Sequence, residues 1–309
     1  MFELQILLGN VVAPAAVLLI SCLACRALPQ GIRGRAVPFV LATSSSFAIW
    51  VAVTIRNGFA WWPEDAWQKV PVAALIVTVV AVIAELLRSK PSSCAAHEPA
   101  RTTNPRTNSS TAAIVQWIAI SSAAGCAAWL IFPRGDTWAE LQSQQNQWYI
   151  VLSLAAGLGW WGVAGCRPPV ASTVGLATIP LLIASAFLTA LSILKITEPL
   201  IALATMLGLC SLIDFRLRGR RSLPIMIAPA LFAMSGFIAH ANFQSYLNLP
   251  RTLYFLALFS PAILGLVARM SQRKSTRFAI GVTIVNAMLL SLAIGTWAYI
   301  AGEAGSEAG

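Results

Sequence analysis

Apolar runs of about eighteen residues or more recur along the whole chain, with short polar segments between them. Wound as an α-helix at ~1.5 Å per residue, such a run crosses a ~30 Å hydrocarbon core. In hydrocarbon every backbone N–H and C=O must find its partner within the chain, so a lone run of this kind has one stable form, the helix. Composition agrees. Of 309 residues 58% are hydrophobic and 10% are charged, and the mean hydropathy is +0.74. A water-soluble domain carries roughly 25% charged residues, so this chain lacks the polar surface to cover itself in water. The expected fold class is an all-α integral membrane protein, with the lipid bilayer as its first partner.

The runs place ten spanning helices, at 4–25, 37–55, 71–87, 112–132, 148–165, 170–194, 199–213, 223–243, 253–270 and 278–301. The stretch 170–215 decides the count. Its 46 residues would be ~69 Å long as helix, which is two crossings and not one. Lys195-Ile196-Thr197-Glu198-Pro199 supplies a turn between them, with Pro199 suited to the first turn of the next helix. Residues 89–111, rich in Ser, Thr, Pro and Asn and without apolar period, read as a disordered cytoplasmic loop. It lies between spans three and four of a single membrane domain, 1–309.

Sidedness follows from the RLRGRR stretch at 216–221, whose four guanidinium groups are too costly to carry across a bilayer. With that loop inside, 16 of the 21 lysines and arginines fall in inner segments. Both termini then lie outside. The net charge of +10 is thereby explained without nucleic acid as a partner. Met1-Phe2-Glu3-Leu4 lacks the basic start of a cleaved signal. Leu19-Ile20-Ser21-Cys22 resembles a lipoprotein cleavage box, but without that start the first segment reads as a retained span. The expected location is the plasma membrane, a bacterial inner membrane. Trp61, Trp62, Trp67, Trp138, Trp148 and Trp297 fall near outer span ends, as an interfacial belt would.

No acidic or basic residue stands at mid-membrane, which disfavours a carboxylate proton relay and a voltage sensor. The suggestive feature is a repeated interruption. The spacing from Gly9 to Pro14 in the first span, with Asn10 between them, recurs from Gly175 to Pro180 in the sixth, with Thr178 between them, and the two prolines stand at the same depth. Ten spans divide into five and five, and an odd half-count inverts the halves. Gly/Pro-interrupted helices at corresponding places of inverted halves point to a transporter site at the midplane. Proline is also ordinary in membrane helices, and Pro229 and Pro261 lack such counterparts. Asn286 offers an amide to a site or to a neighbouring helix.

Ala287, Ser291 and Gly295, like Ala155 and Gly159, recur every four residues as helix-packing stripes do. Thr43-Ser44-Ser45-Ser46 either lines a wet cavity or bonds its own helix. Cys22 and Cys25, with Cys166 and His97, would be the set for a metal, but the expectation is no metal and no cofactor. Glu64, Asp65, Asp136 and His240 would have to meet in one outer groove for an enzyme.

The expected function is a secondary permease for a small neutral solute, bound between helices one and six. A non-catalytic membrane subunit working with other membrane proteins is the next reading. A membrane transferase on a lipid-linked substrate is third.

Overall fold

The computed structural model describes residues 8–57, 65–88, 105–132, 142–216, 223–245 and 249–307. All regular structure among them is helical. We number the α-helices in chain order. α1 is Ala13–Ala27, preceded by a π-helical turn Leu8–Val12, and α2 is Gln30–Asn57. A 3-10 turn, Ala66–Lys69, leads into α3, Val70–Arg88. α4 is Pro105–Ile131, α5 Gln142–Ala164, α6 Pro168–Ser192 and α7 Leu194–Arg216. α8 is Leu223–Phe243, α9 Arg251–Ser271 and α10 Thr276–Glu307.

Six of these, α3, α4, α6, α7, α9 and α10, are long and apolar enough to cross a membrane. The apolar parts described for α1, α2 and α8 are shorter, and α5 opens with the polar run QSQQNQ. Large apolar side chains cover the outside of the bundle. Leu19 and Ile20 on α1, Val115 on α4, and Met288, Leu289 and Leu292 on α10 are all exposed. Such a surface is a liability in water and the natural one in hydrocarbon. The fold is that of a membrane-embedded helical bundle.

Its axis is α8. Every residue from Ile227 to Ala241 is buried, and α2, α3, α4, α5, α6, α7 and α9 all pack on it. A helix apolar on all sides can only be buried on all sides. Ala228, Ala230, Ala233, Gly236, Ala239 and Ala241 keep its diameter small enough for that many neighbours.

Close approach has identifiable causes elsewhere too. A β-carbon at Gly162 on α5 would lie 2.8 Å from the Gly265 backbone of α9, so here the two main chains touch. Between α4 and α5, Ser121 Oγ fills the space that a Gly157 side chain would need. Ser153 does the same against Gly125, and the two hydroxyls interlock the helices.

The chain differs from expectation at several joints. The turn between α6 and α7 falls at Ile193, whose extended backbone (φ −149°, ψ 106°) breaks the helix two residues before Lys195. Pro199 then stands inside α7. α4 begins at Pro105, within the stretch 89–111 expected as a loop; proline, with no N–H to leave unpaired, suits a first helical turn. Residues 89–104, and 217–221 of the RLRGRR stretch, lie outside the described residues. So do Trp61, Trp62 and Trp138 of the expected aromatic belt. Trp67 and Trp148 face inward, 3% and 4% exposed, and Trp148 stacks on Phe255 with ring centroids 5.1 Å apart. They cap the core and are not headgroup anchors.

Candidate functional site

α1, α2 and α3 enclose a cavity of about 540 Å³. Its polar lining is four hydroxyls, Ser21 from α1 and Thr43, Ser44 and Ser46 from α2. The rest is apolar, chiefly Val17, Phe47, Trp50, Val72 and Leu75. Phe47 and Leu75 are 51% and 42% exposed, so the mouth opens sideways on the outer surface of the bundle. Residue 44 is near the middle of α2, which puts the hydroxyls at mid-height.

Hydroxyls within a helix satisfy themselves on the carbonyl one turn back, and that sets what they offer a guest. Ser21 Oγ donates to Val17 O, Thr43 Oγ1 to the Phe39 and Val40 carbonyls, and Ser44 Oγ to Val40 O. Ser21 and Ser44 also meet across the α1–α2 contact, where one hydroxyl shares its proton between its carbonyl and the other oxygen. Thr78 Oγ1 on α3 donates to Ala74 O and receives Ser46 Oγ at 3.0 Å. With their protons committed, these oxygens present lone pairs to the cavity. The site is a set of acceptors on an apolar wall, without a charge.

The other expected site residues are dispersed. Gly9 and Asn10 lie in the π-helical turn, their side chains outside the described residues, and Pro14 is buried at the start of α1. That interruption has a direct cause. Pro14 lacks the N–H that would bond residue 10, and its ring crowds that carbonyl, so the preceding turn widens to π spacing. α6 has no such break: it runs through Pro180 without interruption. Gly175 and Thr178 are buried in it, Thr178 Oγ1 donating to Val174 O at 2.7 Å. α1 packs on α2 and α7, and α6 packs on α7, α8, α9 and α10, so α7 stands where α6 was expected against α1. Asn286 Nδ2 donates to Val282 O of its own helix at 2.8 Å.

His240 is fully buried near the end of α8, 6.4 Å from the Phe132 ring, and neither ring nitrogen has a hydrogen-bond partner. Sealed in this way, it opens on no outer groove with Asp65, which is exposed at the start of the Ala66–Lys69 turn. Glu64 and Asp136 lie outside the described residues. His97 lies outside the described residues, and no three His, Cys, Asp or Glu among those described come together, Cys22, Cys25 and Cys166 included. Of the small-residue stripe on α10, Ala287 is packed while Gly295 faces open space.

The hydroxyl run 43–46 was legible as a polar mark in an apolar helix. The cavity's apolar wall was not, because it is assembled from three helices and each contributes residues ordinary for a span. Family models, curated proteins and solved structures contain no match to this chain.

Proposed function

We propose that the protein is a permease-like membrane protein that binds a small uncharged solute in the α1–α2–α3 cavity. The solute has one or two O–H or N–H donors on an apolar body. Donors are required because the hydroxyl oxygens offer lone pairs; a charged guest would meet no counter-charge and would pay heavily for desolvation. The cavity with its four hydroxyls is the observation that carries this reading. The π-helical turn that leads into α1 adds support, since π-bulges inside helices occur frequently at functional sites.

In this reading the chain crosses the plasma membrane of a bacterium ten times, with both termini outside. The basic residues flanking the spans support that orientation. The halves α1–α5 and α6–α10 would be inverted relative to each other. A non-catalytic membrane subunit is the second reading, favoured by the open groove at Gly295 on the outward face of α10.

The test is thermal unfolding of the purified protein, followed by tryptophan fluorescence, with benzyl alcohol against its methyl ether. The alcohol should stabilise and saturate, and the ether, lacking the donor, should not. Thr43→Phe, which fills the cavity from its rim, should abolish the shift, whereas Thr296→Phe on α10 should leave it intact. Equal shifts for alcohol and ether, or a shift that survives Thr43→Phe, would remove the site.

A further inference from the structure

The turn between α5 and α6 and the turn between α9 and α10 are tied together by one side chain. Gln272 Nε2 donates to Gly165 O at 2.8 Å, and its Oε1 accepts from Arg167 N at 2.8 Å. Arg269, one turn back on α9, donates to Trp161 O at 3.2 Å and lies 3.8 Å over the Trp161 ring. The result is a fixed platform carrying Arg167, Arg269, Arg273, Lys274 and Arg277. Arg167, Arg273, Lys274 and Arg277 are exposed.

No Asp or Glu occurs between 141 and 197 or between 215 and 302, and among the described residues no carboxylate is paired with any of the five. Arg273 is close enough to Arg269 for the two charges to repel. Arg269, Arg273 and Lys274 stand at the C-terminal end of α9, where the helix dipole favours positive charge, whereas Arg167 and Arg277 stand at the first turns of α6 and α10, where it does not. The inward bias of basic residues explains which side they are on. It does not explain why two turns distant in sequence are bridged so that their charges add.

We propose that this platform binds the phosphate headgroup of an anionic phospholipid. Three of the four helices joined by the turns, α6, α9 and α10, are long and apolar enough to span the membrane, which puts the cations at headgroup depth, where each adds to the attraction of an anionic lipid. The indole of Trp161 and the Phe278 ring, over which Lys274 Nζ lies at 5.3 Å, give the first apolar contact below the phosphate. This inference is independent of the α1–α2–α3 cavity.

The full chain in neutral detergent is titrated with phosphatidylglycerol, with phosphatidylcholine and with glycerol phosphate, and its thermal unfolding is followed. Phosphatidylglycerol should stabilise with an apparent affinity that falls as salt rises. In Arg167→Gln/Arg273→Gln that affinity should drop roughly thirtyfold, the effect of two interfacial charges. Arg167→Lys/Arg273→Lys should retain it. Lys195→Gln/Arg251→Gln, which removes two charges from the opposite end of the bundle, should also retain it. Equal loss in both glutamine pairs, or equal stabilisation by phosphatidylcholine, would overturn the proposal. Glycerol phosphate acting as well as the lipid would overturn it in favour of a soluble anion.

Discussion

Gly162 illustrates how much of this fold is decided by single atoms. With the Gly265 backbone 2.8 Å from where its β-carbon would stand, Gly162→Ala must push α5 and α9 apart. Overpacking of this kind costs about 1–3 kcal/mol, so the melting temperature should fall measurably; an unchanged melt would mean that the two helices do not touch there. Cys166 lies in the adjoining turn, between α5 and α6, and burial pushes its thiol up to about 12, with Arg269 pulling weakly the other way. Its stabilising effect is therefore complete below the ordinary thiol range, near pH 9, and is lost as pH rises toward 12. Iodoacetamide should alkylate it at pH 8 more than roughly tenfold slower than glutathione, with the rate still climbing above pH 10. A rate that levels off near pH 9 would contradict that environment. Residue identity alone announced neither property. Gly162 is one glycine among 20, and the thiol of Cys166 is set by neighbours about a hundred positions away.

Helices were legible from the apolar runs, and the reason is physical: hydrocarbon leaves the backbone no alternative. Their pairing was not. Small residues on one face say that some helix approaches, not which one. Thus the Gly/Pro spacing suggested α1 against α6, yet α7 occupies that position. The same gap appears at Trp67 and Trp148, whose inward face was not readable. The interruption before α1 was readable because proline acts on its own helix, whereas Pro180 is accommodated within α6. Where two helices do pair, the register can be tested. Gly157→Ala should cost about 1–3 kcal/mol by evicting Ser121 from its place between α4 and α5. With Ser121→Gly added, the combined loss should be smaller than the sum of the two single losses, since the methyl and the hydroxyl no longer compete for one space. Two losses that simply add would show that the hydroxyl and the glycine do not share that space.

At the scale of the molecule, three features combine: a fully buried axis in α8, a hydroxyl-lined cavity at mid-height on one side, and a basic platform at one end. The cavity is of use only if the bundle stands across a bilayer with its mouth in the lipid, and the platform only if its end meets headgroups. Both therefore rest on how many times the chain crosses and which side it starts from. The proposed arrangement has ten crossings with both ends outside, and removing one internal span from it would reverse half of the tally of basic residues. The most direct test is a pair of reporters fused after Gly309 of the full chain. Alkaline phosphatase, active only outside, should be active there, and green fluorescent protein, which folds in the cytosol, should stay dark. A fluorescent, phosphatase-negative terminus would contradict the orientation.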